Sequence, residues 1–302
     1  MSRARGATYE VSGRTVFITG AARGIGAAIG ERLHAKGANV ALVGLEPERL
    51  QALAARLGER AWAFEADVTD PQALQAAVAG TVERFGGIDV AIANAGIAFV
   101  GALASAPVEQ VERTFAVNLL GVWRTDRAVI EQLIARRGYL LNISSMLALT
   151  HPPLAGPYAS AKAGVEALSD ALRMELAASG VGVGCAHFGF MDTDLARGSQ
   201  AQPAAELMNR GVPAFLRGPA PLVGAIDAIE LGIERRSARV WAPRWVGAMI
   251  TLRGVLQPLM ERRTRSQASQ LSEAIRLAEH SAAEGSWDPT LGVAADVMED
   301  PS

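Results

Sequence analysis

Cysteine is nearly absent from this 302-residue chain: there is one, Cys185. No internal disulfide can form, and a domain of this length buries roughly three quarters of its unfolded surface without one. Lysine is almost as scarce, with Lys36 and Lys162 set against 27 arginines. The four histidines, His34, His151, His187 and His280, show no metal-ligand spacing, so no metal is expected. No window reads as the roughly 20 predominantly apolar residues of a transmembrane helix. The apolar stretch from Val16 to Gly30 is too short and is broken by Arg23. Met1 to Gly13 lacks the apolar core of a signal peptide. A net charge of −2 leaves no basic footprint for nucleic acid. These absences predict a cytoplasmic protein.

Half of the residues are hydrophobic, and their spacing alternates between two periods. Short apolar runs read as buried strands at Thr15–Thr19, Asn39–Val43, Ala61–Ala66, Ile88–Ala93, Tyr139–Ile143, Val181–Phe188 and Arg239–Trp241. Between them lie segments of helical period: Gly24–Lys36, Pro71–Phe85, about 108–136, and Tyr158–Ala178. Continuous apolar strands alternating with helices predict an α/β fold, a doubly wound parallel sheet covered on both faces. Ala196 to Pro221, rich in Gly, Pro and Ala, reads as a mobile excursion.

The first strand runs into Thr19-Gly20-Ala21-Ala22-Arg23-Gly24-Ile25-Gly26, where a helix begins. Glycines at such a junction let backbone N–H groups approach a pyrophosphate at the positive end of the helix. Asn94-Ala95-Gly96 closes the fourth strand, at the edge where open sheets bind ligands. Asp67-Val68 closes the third; Asp67 would receive an adenine amino group or cap the next helix.

Tyr158 and Lys162 stand four residues apart, on one face of a helix. Three tyrosines and two lysines would produce that spacing by chance only about 0.02 times. A chain that otherwise chooses arginine keeps lysine where a compact ammonium is needed. An ammonium about 4 Å from a phenol, at an effective dielectric near 20, is worth on the order of 4 kcal/mol, or roughly three pK units. That shift would carry Tyr158 from about 10 to near neutrality, where an acid–base group works best.

With these residues placed, the chain resembles the short-chain dehydrogenase/reductase family in its compact Thr-Gly-x3-Gly-x-Gly branch, over about residues 10–245. Thr19, Gly20, Gly24 and Gly26 match the cofactor turn, and Asn94, Ala95 and Gly96 match the strand-stabilising motif. Asn118 matches the family's helix asparagine, and Ser145, 13 positions before Tyr158, its catalytic serine, with Ser144 the rival. Gly189 and Thr193 match the loop that holds the nicotinamide carboxamide. The resemblance implies a Rossmann-like domain and an NAD(P)-dependent oxidoreductase interconverting an alcohol and a carbonyl. Ser145 would stabilise charge on the substrate oxygen and Tyr158 would pass the proton. Lys162 would lower the Tyr158 pKa and bind the nicotinamide ribose, and Asn118 would hold a water linking Lys162 to solvent. Phe188 stands where the family usually has proline, either near the nicotinamide or in the core. The same resemblance implies a homo-oligomer, through the helices at about 108–136 and 158–178.

Cofactor choice rests on conflicting residues. Glu46, 20 residues after Gly26, is at the distance where an acid binds the ribose of NAD. The family's deciding position, however, is Gly44, with Leu45 where NADP enzymes often carry arginine. Arg23 would pair with a 2′-phosphate, helped by Arg49. The balance favours NADP(H), with NAD(H) as the alternative.

The substrate is expected to be small or medium and hydrophobic, under a roof at 195–221 bearing Met208, Phe215 and Leu216. Met146, Leu147 and Leu149 adjoin the serine with no cation nearby, and His151 reads as solvated. Beyond the resemblance, residues 246–302 form a helical extension in which Trp245, Met249, Leu252, Leu256 and Leu259 keep helical spacing, Pro258 should kink or split the helix, and arginines flank it. It would pack over the pocket or a dimer partner, lie as an interfacial helix on a membrane, or form a loosely ordered appendage. The tail from Ser281 to Ser302 is expected to fray. Outside the enzyme class stands a catalytically idle NAD(P)-binding sensor or scaffold, which the complete set of Asn118, Ser145, Tyr158 and Lys162 disfavours. An epimerase or dehydratase would need a longer substrate domain.

Overall fold

β-Branched and small apolar residues fill the central strands because both faces of the sheet are covered there, which leaves no solvent side on which polar residues could alternate. In the computed structural model, which describes residues 8–210, 212, 217–283, 287–288 and 293–294, seven parallel strands form one sheet. They are β1 (Thr15–Thr19), β2 (Asn39–Gly44), β3 (Ala61–Glu65), β4 (Val90–Ala93), β5 (Tyr139–Ile143), β6 (Gly182–Phe188) and β7 (Arg239–Ala242). Their spatial order is β3-β2-β1-β4-β5-β6-β7. The order reverses between β1 and β4, and the crevice beyond their carboxyl ends is where open sheets bind ligands.

Alternate residues of each strand feed two cores. Val16, Ile18, Leu42, Ile92 and Leu141 pack against α1 (Gly24–Ala35), α2 (Pro47–Leu57) and α9 (Leu222–Arg235) through Ile29, Leu33, Leu50, Ile229 and Ile233. Phe17, Ala41, Val43, Ala91 and Leu140 pack on the other face against α3 (Pro71–Phe85), α5 (Gly121–Arg136) and α6 (Gly156–Glu175). Helix α3 starts where Pro71 can occupy the first turn and the Asp70 carboxylate accepts from the Gln72 and Ala73 amides at 2.8 and 3.2 Å. It stops at left-handed Gly86. Asp70, not Asp67, is therefore the residue that caps this helix.

Three segments differ from their expected form. The helical stretch from Val108 is α4 (Val108–Phe115) and α5 joined by a π-helical segment, Ala116–Leu120. The excursion after β6 is helical through its first half, as α7 (Asp194–Ala201) and α8 (Pro203–Asn209), because Thr193 caps the first and Pro203 opens the second. Helix α10 (Arg244–Ser266) runs through Pro258 without a break. The carbonyl that Pro258 cannot serve belongs to exposed Gly254, where water can take the bond and no side chain crowds the ring.

Helix α11 (Ala268–Ala283) then folds back, and Ala274 and Ala278 pack with Leu154 and with Ala204 of α8. Two short strands, Trp287–Asp288 and Val293–Ala294, pair antiparallel beyond it. The remainder of the tail expected to fray, and Phe215 and Leu216 of the expected roof, lie outside the described residues. Among those described, no helix is long and apolar enough to cross a membrane.

Candidate active site

The turn after β1 is built by close backbone approach. Gly20 has φ +64°, and a Cβ there would stand 2.8 Å from the Cα of Ala95. A Cβ on Gly26 would overlap the carbonyl oxygen of Gly20. Asn94 locks the two strand ends together: its Nδ2 donates to the carbonyls of Thr19 and Gly20, both at 3.0 Å. The Thr19 hydroxyl accepts from the amides of Asn94 and Ala95 at 3.1 and 3.3 Å. The result is a cleft of about 190 Å³ lined by Gly20, Arg23, Gly24, Ile25, Asp67, Val68, Asn94, Ala95, Gly96 and Thr193. Of the residues expected at a cofactor, these ten line one crevice. Asp67 accepts from the Thr69 amide at 2.7 Å, an Asx turn that fixes its carboxylate at the rim. Thr193 accepts from the Ala196 amide at 3.3 Å.

The cleft meets a larger cavity of about 340 Å³ at Ile25, Asn94, Gly96, Thr193 and Leu195. Ser145, Tyr158, Lys162 and Gly189 all line it. Strand β5 and helix α6 are stitched together there: the Lys162 ammonium donates to the Ile143 carbonyl and the Ser144 hydroxyl to the Lys162 carbonyl, both at 2.8 Å. Ser144 is thereby committed to structure. Ser145 accepts from the Leu147 amide at 3.1 Å, and its hydrogen bond to Tyr158 draws the phenol pKa down. Burial outweighs that bond and leaves Tyr158 above its ordinary value. This reverses the expected drop toward neutrality. The Lys162 Nζ is 5.8 Å from the Tyr158 ring centroid and bonded to a backbone carbonyl. Desolvation brings Lys162 itself down to about 8.

Asn118 is fully buried in the π-helical segment. Both ends of its amide are spent on Ile97, accepting from the N–H and donating to the C=O at 2.8 Å each. These bonds use one of the amide's two N–H donors and one of the two acceptor positions on its oxygen. Gly96 separates the two residues: a Cβ there would lie 3.0 Å from Asn118 Oδ1 and 3.5 Å from Lys162 Nζ. Phe188 is buried in the core with residues of α1 and α9 and also lines the cavity. His151 is exposed.

Comparison with known proteins agrees with this geometry. The short chain dehydrogenase family model matches residues 14–204. The chain belongs to that family. Among its relatives, an L-rhamnose 1-dehydrogenase (NAD(P)(+)) from Sphingomonas sp. (strain SKA58) is 36% identical over 72% of this chain and 88% of its own length. A nodulation protein G from Rhizobium sp. (strain N33) is 34% identical over 61% of this chain and 76% of its own. A dehydrogenase/reductase structure from Sinorhizobium meliloti 1021 superposes with a TM-score of 0.69 at 29% identity, covering 78% of this chain and 95% of that one. A short-chain dehydrogenase/reductase from Burkholderia phymatum in complex with NAD shares the fold, with a TM-score of 0.72 at 22% identity over 81% of this chain and 94% of that one. The protein is an oxidoreductase acting between CH–OH and C=O.

This short chain dehydrogenase also places residues in the crevice that spacing did not indicate. Arg113 of α4 lines the cleft, and its Nε is buried without a hydrogen-bond partner. Met260, Arg263, Thr264 and Gln267, at the end of α10 and just after it, line the cavity beside Met208. Arg263 brings to the pocket a cation that the sequence around Met146, Leu147 and Leu149 does not supply. No local pattern could have revealed it, since the course of the chain brings residue 263 to the cavity that residue 158 also lines.

Proposed function

We propose that this enzyme interconverts an alcohol and a carbonyl on a small or medium hydrophobic substrate, with Tyr158 as acid–base and Ser145 as oxyanion donor. The observation that carries the reading is one apolar cavity onto which Ser145, Tyr158 and Lys162 all open, continuous with the glycine-turned cleft. Val100, Leu147, Phe190, Leu195, Met208 and Met260 supply apolar wall. A bound nicotinamide dinucleotide would supply the hydride acceptor or donor, held by Gly20, Gly24, Asp67, Val68, Asn94, Gly96, Gly189 and Thr193, whereas Gly26, which lines neither cavity, would act by letting the turn close on Gly20. The backbone approaches that only glycine permits are the features that fit it. Tyr158, raised by burial, is protonated at neutral pH and so set to give its proton to a carbonyl oxygen as that oxygen gains charge. In the opposite direction it takes the hydroxyl proton. Lys162 stabilises the phenolate so formed, and Ser145 donates to the same substrate oxygen.

On the cofactor, the ion pairs alter the weight of the sequence argument. Arg23 stands 3.1 Å from Glu46 and 4.0 Å from Asp194, and Arg49 is 3.3 Å from the second oxygen of Glu46. A 2′-phosphate would have to separate Arg23 from Glu46 and then stand beside that carboxylate. A ribose hydroxyl need only donate to it. We therefore favour NAD(H) over NADP(H). Self-association is supported by Leu120 and Trp123 around the start of α5, 42% and 44% exposed.

Turnover against a panel of apolar ketones and alcohols tests the reading. Tyr158→Phe is expected to lower kcat by about 10² to 10⁴ while cofactor still binds. Full activity in that variant, or no cofactor binding by the native chain, rejects it. In fluorescence titration NADH should bind more tightly than NADPH, and Glu46→Gln should narrow the gap; tighter NADPH binding rejects the assignment.

A further inference from the structure

We propose that helix α10 docks the enzyme on an anionic membrane surface. Its inner face, through Val246, Met249 and Ile250, packs against Met146 and Leu149. Another face holds Ala248, Leu252, Val255 and Leu259, at spacings of four, three and four, which superpose on a single stripe along a helix. The three large residues are 51, 61 and 53% exposed. Exposed Arg244 and Arg262 fall on one side of that stripe.

Charge selects the occupant. Of the five arginines on the helix, Arg253 pairs with Glu166 and Arg265 with Glu261, so the cationic flank of the stripe is Arg244 and Arg262, in a chain whose net charge is −2. A second copy seated on the stripe would bring two such cationic helices together. An anionic lipid surface would meet the arginines with headgroups and the stripe with acyl chains, the pattern of helices that lie in the interface plane. Trp241, 42% exposed and packed at Gly247, stands beside the first turn of the helix as an interfacial aromatic. Because the end of α10 also lines the cavity, a hydrophobic substrate could pass from the lipid to the pocket; that corollary rests on the function proposed above, whereas docking does not.

Flotation of the full chain with vesicles is read without turnover, which keeps the two proposals separable. The chain should float with phosphatidylcholine vesicles containing about 30 mol% phosphatidylglycerol, float poorly with phosphatidylcholine alone, and release in high salt. The paired change Leu252→Ser and Leu259→Ser should lower partitioning roughly tenfold or more without altering the thermal melt. Arg244→Gln with Arg262→Gln, which leaves the stripe intact, should remove the preference for anionic vesicles. The proposal is overturned if neither vesicle binds or the serine variant binds like the native chain. It is also overturned if light scattering shows the serine pair splitting an oligomer, which would assign the stripe to a second copy.

Discussion

Truncating Asn118 to alanine tests how the π-helical segment supports the site. The Asn118 amide is fully buried and makes two bonds of 2.8 Å to the backbone of Ile97. Asn118→Ala leaves an N–H and a C=O facing a void. Each unsatisfied buried group costs about 1–3 kcal/mol, and a water entering the space recovers part of that, so the loss should be about 2–5 kcal/mol. For a chain of this size each kcal/mol shifts the melting point by about 2–4 °C, which gives a fall of roughly 5–15 °C. Activity should fall too, because Gly96 is held between Asn118 and Lys162. Asn118→Asp sharpens the experiment. It keeps an acceptor for the Ile97 amide but sets a carboxylate against the Ile97 carbonyl, so its pKa is raised. Stability lost at neutral pH should then return as pH falls and the protonated carboxyl donates. Scanning calorimetry of both variants across pH reads this directly. An Asn118→Ala protein melting within about 2 °C of the native one would refute the reasoning.

Other consequences can be measured alongside. Gly20→Ala combines a φ of +64° with a Cβ 2.8 Å from Ala95 Cα, so it should cost about 2–4 kcal/mol and weaken cofactor binding at least tenfold in titration. His187 is fully buried 3.5 Å from Glu166; burial opposes its charge, but Cys185 and Glu166 reverse this and raise it to about 9. That raised value contributes stability fully below pH 6.5, lost as pH rises through 9, so the melting-point gap between native enzyme and Glu166→Gln should shrink over that window. Ala274→Leu overfills the contact among Leu154, Ala204 and Ala278, and should cost about 1–3 kcal/mol and raise KM more than it lowers kcat. An unchanged KM would mean that α11 does not shape the pocket.

The fold was legible because its strands are buried on both faces: Thr15–Thr19, Asn39–Val43 and Tyr139–Ile143 stand out as short apolar runs bounded by turns. The glycine turn, Asn94 and the Tyr158/Lys162 pair were legible because each belongs to a local geometry with few solutions. What escaped was tertiary. Arg113 and Arg263 reach the crevice from helices whose sequences say nothing of their neighbours. The pairing of Arg23 with Glu46 joins two turns that are 23 residues apart. Pro258 misled because its cost depends on whether residue 254 is exposed, which periodicity does not record. The sign of the Tyr158 shift failed for a related reason: spacing gives the nearness of a cation, but not how much water the fold removes from both groups.

The fold-back of α10 and α11 separates two kinds of inheritance in this chain. Under the function proposed above, proton transfer would be written between residues 118 and 162, whereas part of the cavity wall is written a hundred positions later. Mutations accumulating in that distal stretch can retune which molecules are admitted while the reacting centre stays as it was. Swapping the last fifth of the sequence between homologues is accordingly a direct route to new selectivity on an unaltered catalyst.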